Sequence, residues 1–213
     1  MEIDYSRYNT DKGLHFLKNY ERWFAELRDK EVHILELGIL DGGSLELWRD
    51  FFPKGKVVGI DLKKFEVGNE ERIFTFAGSQ DDPELYRRIQ RELNIPRFDI
   101  IIDDASHVGN ISLNSFNILY NGYLRNGGLY VVEDWGTGYW SHWPDGHKYN
   151  APSVEGNRIR SNDHGMVGFI KALVDYVAFP DIVRFDSEAA GSLVKVRALE
   201  IQPGQVCLTK PSA

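Results

Sequence analysis

The chain has 213 residues, of which 42% are hydrophobic and 27% charged, and its formal net charge is −7 at pH 7. This length and composition fit a single soluble domain spanning 1–213. The acidic balance, without a basic stripe, argues against nucleic acid and membranes as partners. The single Cys207 excludes an internal disulfide framework. Neither a secretory signal nor a membrane-spanning run is visible, so we expect a cytoplasmic protein.

Segments with helical and strand periodicity alternate along most of the chain. Apolar residues at three-to-four spacing and helix-start signals predict helices at 14–28, 44–52, 82–93, 110–124 and 166–179. Short apolar runs predict strands at 32–37, 56–61, 73–77, 98–102, 128–133, 182–185, 192–201 and 206–209. This order predicts an α/β fold: a Rossmann-like, doubly wound and mostly parallel seven-stranded sheet with an antiparallel C-terminal hairpin turning at 202–205.

Two segments do not follow this alternation. Residues 1–30 form an N-terminal cap segment that consists of a polar stretch and the first helix. The polar stretch is either a flexible terminus or a segment folded over a ligand. Residues 135–163 are rich in glycine, proline and aromatic side chains. A loop of this length is usually functional or disordered, and its aromatic content argues against disorder. We interpret it as a lid or substrate-binding insert, with a contact between copies in a homo-oligomer as the alternative.

Acidic side chains follow two of the predicted buried strands at the point where each strand ends. Asp103, Asp104 and then His107 follow the strand at 98–102, and Glu133 and Asp134 end the strand at 128–133. In an open α/β sheet, ligands bind beyond the carboxyl ends of the strands. One acid at such a place usually caps a turn, but this many charges at one edge predict a bound cation. Oxygen-rich carboxylate sites suit Mg²⁺ or Mn²⁺.

The first two strands carry signs of an adenosine-containing cofactor. Gly38 ends the first strand, and glycines there let a ligand approach the backbone and the N-terminus of the next helix. A dinucleotide fingerprint would need glycine at position 40, which is Leu40. Asp61 ends the second strand, where a carboxylate can bind ribose hydroxyls or simply cap a turn. Gln80 follows the third strand, where an adenine amino group could be recognised.

Several motifs carry a family resemblance. Glu36-x-Gly38, Asp61 and Asp103-Asp104 resemble the class I S-adenosylmethionine-dependent methyltransferases. More narrowly, the chain resembles the metal-dependent O-methyltransferases of macrolide deoxysugars and rhamnosyl groups over about residues 8–180. The motifs that carry this narrower resemblance are Thr10-Asp11-Lys12-Gly13-x-His15, Glu36-Leu37-Gly38, Gly42-Gly43-Ser44, Gly59-Ile60-Asp61, Asp104-Ala105-Ser106-His107 and Val132-Glu133-Asp134.

The resemblance implies S-adenosylmethionine and Mg²⁺ or Mn²⁺ as cofactors, and it implies roles for particular residues. The implied cofactor-binding residues are Thr10, Lys12, Glu36, Gly38, Gly43, Ser44, Asp61, Gln80 and Asp103. The implied metal ligands are Asp104, Glu133 and Asp134. Because neighbouring strand residues point to opposite faces, Glu133 and Asp134 can both bind only if the strand bends there.

His107 is the expected general base, since histidine transfers protons near neutral pH. It would lie beside Asp104 if a helical turn begins there. His164 ranks below it as a base, and His142 and His147 are either substrate contacts or solvated.

The resulting expectation is a metal-dependent O-methyltransferase that acts on a sugar or polyol hydroxyl of a small molecule, of the natural-product type. A catechol-type O-methyltransferase and a non-catalytic S-adenosylmethionine-binding domain remain open. A nicotinamide-dependent oxidoreductase is disfavoured by the missing dinucleotide fingerprint.

Overall fold

The computed structural model describes residues 3–66, 71–149, 154–155, 158–159, 163–185 and 194–212. They fall into two compact units, Met1–Ala105 and Ser106–Ala213. No helix in these ranges is long and apolar enough to cross a membrane.

The first unit contains a four-stranded parallel sheet with helices between its strands. In chain order its elements are α1 (Leu14–Phe24), β1 (His33–Leu37), α2 (Gly43–Phe51), β2 (Lys56–Asp61), β3 (Ile73–Ala77), α3 (Pro83–Leu93) and β4 (Phe98–Asp103). The strand order is β3-β2-β1-β4. On β1, Ile34 pairs with Val57 of β2 on one side and with Ile100 of β4 on the other, so β1 is hydrogen-bonded to a parallel strand at both edges. The predicted strands of this unit are confirmed.

Aromatic side chains join α1 and α2 in the core of the first unit. Tyr20 lies edge-on to Trp48 with ring centroids 4.8 Å apart, and Phe24 lies 5.7 Å from Phe52. These side chains are almost completely buried. Since full burial of one large apolar side chain is worth about 1.5–3 kcal/mol, this cluster fixes α1 on α2. The segment that precedes α1 is bound to both helices, because the Tyr5 hydroxyl donates to Glu21 at 2.6 Å and the Tyr8 hydroxyl to Asp50 at 2.9 Å.

The second unit is built on an antiparallel trio of strands with two long helices. Its elements are α4 (Gly109–Gly122), β5 (Leu124–Glu133), α5 (Pro144–Tyr149), β6 (Val154–Glu155), β7 (Arg158–Ile159), α6 (Gly165–Val177), α7 (Phe179–Phe185), β8 (Ala198–Gln202) and β9 (Gln205–Thr209). β9 pairs antiparallel with both β5 and β8. The predicted C-terminal hairpin is therefore confirmed. Together with the four parallel strands, the trio supplies the seven strands of the predicted fold class.

Three predicted elements differ from the structure. The segment 182–185 belongs to α7, so the predicted strand there is wrong, and Pro180 lies inside the first turn of α7, where proline is tolerated. The predicted strand at 192–201 is reduced to Ala198–Gln202; residues 194–197 are irregular, and 192–193 lie outside the described residues. The insert 135–163 contains a 3₁₀-helix (Trp135–Tyr139), α5 and the β6–β7 pair. Its residues 150–153, 156–157 and 160–162 also lie outside the described ranges.

Candidate active site

A buried cluster of charges lies at the carboxyl ends of β1 and β4 in the first unit. The Lys12 ammonium lies 2.6 Å from Oδ2 of Asp104 and 3.2 Å from Oε1 of Glu36. The Ser44 hydroxyl donates to Oε2 of Glu36 at 2.7 Å. Burial raises the pKa of Glu36 above its ordinary value, and Lys12 and Ser44 counteract this only in part. Four residues that were predicted to bind cofactor or metal are thus brought into one group.

The glycines of this region accommodate the protein's own backbone. A Cβ on Gly43 would lie 2.0 Å from the carbonyl oxygen of Asn9, which shows how closely the N-terminal segment packs on the start of α2. A Cβ on Gly38 would lie 2.1 Å from the carbonyl oxygen of Asp104, and Gly38 also has φ +91°. Only glycine fits either position, whatever ligand is bound. The segment around Thr10, whose hydroxyl accepts from the Lys12 N–H at 3.3 Å, is therefore an ordered part of the first unit.

The remaining predicted cofactor residues lie at the ends of β2, β3 and β4. Asp61 accepts the backbone N–H of Ile39 at 3.0 Å through Oδ2, so it fixes the loop that follows β1. The side-chain amide of Gln80 donates to Oδ1 of Asp103 at 2.9 Å, and both residues are buried. Asp61 has the turn-capping contact that sequence reasoning offered as its alternative role, and ribose binding by this residue stays a prediction.

In the second unit, His107 and Asp134 come together. A ring nitrogen of His107 and a carboxylate oxygen of Asp134 lie within 4.8 Å of each other. Both residues are non-glycine residues in the left-handed region, with φ +50° and +53°. Such conformations cost energy and persist where surrounding structure imposes them, often at functional sites. The helical turn suggested for 104–107 is absent, because this segment is irregular and α4 begins only at Gly109.

Asp134 stands where β5 bends. The strand ends at Glu133, and Asp134 begins the 3₁₀-helix Trp135–Tyr139 without capping it through its side chain. The bend that joint metal binding by Glu133 and Asp134 requires is therefore present. Glu133 itself is buried and does not belong to the close group of potential ligands found within the described ranges, so its role as a ligand stays a prediction.

The other candidate histidines precede α6 or lie in the insert. His164 precedes α6 and stacks on Tyr149, with ring centroids 5.1 Å apart. His142 is exposed and stacks on Trp140, whose ring centroid lies 5.7 Å away. His147 is exposed on α5.

The sequence pattern assigned no individual role to Trp143, which packs on His107, or to Asp145, which binds the start of α4 two residues after His107. The ring of Trp143 lies edge-on to His107 at 5.4 Å, and the buried carboxylate of Asp145 accepts two backbone hydrogen bonds. The sequence Pro144-Asp145-Gly146 looks like a turn. Proline followed by an acid is equally typical of the first turn of a helix, and this signal could have found α5.

The chain has close sequence relatives, although no family model matches it. It is 35% identical over 196 residues to the demethylmacrocin O-methyltransferase of Streptomyces fradiae, covering 87% of this chain and 46% of that protein. It is 36% identical over 197 residues to the 8-demethyl-8-(2-methoxy-alpha-L-rhamnosyl)-tetracenomycin-C 3'-O-methyltransferase of Streptomyces olivaceus, covering 87% and 47%. The chain thus spans about half the length of the curated relatives that it matches.

Solved structures give the same relationship. The MycE methyltransferase from the mycinamycin biosynthetic pathway, in complex with Mg and SAH, superimposes with a TM-score of 0.81 at 30% identity. The match covers 100% of this chain and 55% of that one. A second MycE structure, which also contains mycinamycin VI, matches with a TM-score of 0.75 at 31% identity over 97% of this chain and 53% of that one. The predicted fold class is confirmed by these matches.

Proposed function

We propose that this chain, which has the class I S-adenosylmethionine-dependent methyltransferase fold and is a homologue of the macrolide-sugar O-methyltransferases, is itself a metal-dependent O-methyltransferase. Its acceptor is a sugar or polyol hydroxyl on a small molecule. The observation that carries this proposal is the close pair of His107 and Asp134, in a chain whose solved relative binds Mg and SAH. A base and a hard-cation ligand side by side are what deprotonation of a hydroxyl requires.

The residues fit a divalent cation by their chemistry. The proposed ligands Asp104, Glu133 and Asp134 offer carboxylate oxygens, which Mg²⁺ and Mn²⁺ prefer. The Asp134 side chain does not cap the helix that it precedes. Asp104 comes three residues before His107 in the sequence, which keeps the ligand and the base on one short segment.

The residues of the first unit fit a cofactor that carries a sulfonium, an amino group and ribose hydroxyls. Carboxylates of Asp61 and Asp103 end β2 and β4, the two parallel strands that flank β1, at the edge where ligands of α/β sheets bind. Glu36 and Lys12 add one buried charge of each sign beside the start of α2. The negative side chains suit the sulfonium and the hydroxyls of the cofactor, and the N-terminus of α2 suits the carboxylate of the cofactor.

When bound, S-adenosylmethionine supplies the methyl group, and the cation lowers the proton affinity of the acceptor hydroxyl. The protein's own residues then act in two ways. His107 would accept the proton of the acceptor hydroxyl, while the methyl group passes from sulfur to that oxygen and S-adenosylhomocysteine leaves. The carboxylates and the insert orient the acceptor, and positioning at near-attack distance accounts for up to several kcal/mol of the barrier.

A thermal-shift titration with S-adenosylmethionine, NAD and Mg²⁺, with and without EDTA, tests the cofactors. We expect stabilisation by S-adenosylmethionine and none by NAD, and the opposite result would rule out the proposal. Methyl transfer to glycosylated metabolites and to catechols is then followed by the mass gain of one methyl group. A preference for catechols would favour the catechol-type alternative, and binding without turnover a non-catalytic domain.

Single substitutions test the residues. Asp104→Ala and Glu133→Ala should each lose metal-stimulated turnover and retain binding of S-adenosylhomocysteine. Asp82→Ala, which removes an exposed cap of α3, serves as the matched control and should retain turnover. If both site variants keep metal-stimulated turnover, the ligand assignment is wrong.

A further inference from the structure

Asp145 is a buried acid in the insert for which the proposed chemistry has no direct use. It lies in α5 and is 3% exposed. Its Oδ2 accepts the backbone N–H of Gly109 at 2.7 Å and that of Met166 at 2.8 Å. One carboxylate oxygen therefore bridges the first turns of α4 and α6.

This contact differs from an ordinary helix cap. A capping side chain normally belongs to the residue just before its own helix. Asp145 lies 36 residues from Gly109 and 21 residues from Met166, and it reaches both from a third element. The first N–H groups of a helix have no partner within the helix, and a negative charge there is favourable. Asp145 satisfies one such group on each helix.

Two glycines make room for this bridge. A Cβ on Gly165, which has φ +62°, would lie 2.6 Å from Oδ2 of Asp145. A Cβ on Gly109 would lie 1.9 Å from the carbonyl carbon of Gly165, so the two helix starts touch through their backbones. The junction of α4, α5 and α6 is thus shaped around a single carboxylate.

His107 lies directly beside this junction. His107 precedes Gly109, the first residue of α4, by two positions. The Trp143 ring packs edge-on with the His107 ring, with centroids 5.4 Å apart. Trp143 in turn precedes Asp145 by two positions. The segment that carries His107 and the segment that carries Trp143 are therefore anchored by the same carboxylate. His107 also holds a left-handed backbone conformation, which needs such external support.

We propose that Asp145 is a positioning residue: it fixes the start of α4 and the Trp143 ring so that the His107 imidazole is held in one orientation. This inference rests on the proposed function only for its kinetic consequence. The structural consequence, the orientation of His107 against Trp143, stands whether or not the chain transfers methyl groups.

The test compares Asp145→Ala with Asp145→Asn and with the control Asp82→Ala, which also removes a carboxylate from a helix start. Two readouts are taken well below the unfolding temperature of each variant. The first is the NMR resonance of the His107 ring, assigned through its loss in His107→Gln and shifted by the nearby Trp143 ring. The second is the split between kcat and the KM for S-adenosylmethionine.

We expect Asp145→Ala to move the His107 resonance and to lower kcat at least about tenfold, with the KM for S-adenosylmethionine changed less than about threefold. Misplacement of a reacting group by about 1 Å can cost ~100-fold in rate. Asp145→Asn should restore both readouts in large part, because an amide oxygen can accept the same two N–H groups. The control should change neither.

An unmoved His107 resonance in Asp145→Ala would overturn the inference. If that variant does not fold, Asp145→Glu decides: it keeps the charge but displaces it by one methylene, so it should also move the resonance, and a wild-type spectrum would refute positioning. A moved resonance without any methyl transfer by the wild type would uphold the inference and reject the proposed function.

Discussion

Replacement of Lys12 by methionine should destabilise the first unit strongly. The Lys12 side chain is 1% exposed and pairs with Glu36, which is completely buried. Methionine keeps most of the volume and removes the charge, so Glu36 loses its cationic partner. Breaking a buried ion pair in this way typically costs ~3–5 kcal/mol, because an uncompensated charge remains. For a chain of this size that corresponds to a fall in Tm of ~6–20 °C.

The destabilisation should depend on pH with a definite sign. Burial raises the pKa of Glu36 above its ordinary value of 4.5. A carboxyl group whose pKa is raised by folding adds to the free energy of unfolding. This contribution is complete at pH values below the ordinary pKa, and it is lost as the pH rises through the folded-state pKa. Without Lys12 the folded-state pKa of Glu36 rises further, so the Tm difference between wild type and Lys12→Met should be larger at pH 7.5 than at pH 5.

Two further variants make this test specific, with unfolding followed by circular dichroism. Lys12→Met combined with Glu36→Gln should recover much of the lost Tm at pH 7.5, because the amide needs no counter-charge. Lys64→Met removes an ammonium whose ion pair with Glu66 is exposed and screened by solvent, so the Tm should change little. If Lys12→Met melts like the wild type at pH 7.5, the buried ion cluster does not have the energetic role described above.

Three other predictions concern ligands. Gly43→Ala should weaken S-adenosylhomocysteine binding, because the added methyl group displaces the backbone of Asn9. Gly122→Ala is the control, since its added methyl group meets no atom of the surrounding structure within 4 Å, and equal titration curves for the two variants would contradict the prediction. EDTA should lower the Tm of the wild type and leave that of Asp134→Asn unchanged, whereas equal responses would exclude Asp134 as a ligand. Trp140→Ala should have the Tm of the wild type, since the Trp140 side chain is 51% exposed. It should bind the acceptor more weakly in fluorescence titrations, and an unchanged affinity would show that the ring does not contact the acceptor.

The parallel strands were predictable because each is a short, continuous apolar run that is buried on both faces. The run Ile100–Ile102 in β4 is fully buried in this way. The same reasoning failed for 182–185, where a short apolar run forms part of α7. Periodicity alone does not separate a short strand from a helix segment. Pro180 follows the predicted helix 166–179 and indicates its end, but proline is also favoured in the first turn of a helix, as in α7.

The position of the acids at strand ends was predictable, but their partners were not. Lys12 and Asp104 are 92 residues apart, and no spacing rule relates them. Their ion pair depends on the path of the N-terminal segment over the start of α2, which is set by tertiary packing. The left-handed conformations of His107 and Asp134 were also invisible in the sequence, although histidine and aspartate are among the residues enriched there.

The glycines show how one sequence signal can have two physical causes. At Gly38 and Gly43 the sequence pattern predicts a ligand close to the backbone, yet the space beside Gly38 is filled by the carbonyl of Asp104 and that beside Gly43 by the carbonyl of Asn9. Gly38 therefore sets how closely β1 and the segment after β4 can approach, and with it the place of the Asp104 backbone. A glycine of the cofactor motif and an acid proposed for the metal site thus form one packed feature, so a side chain at position 38 should disturb cation binding as well as cofactor binding.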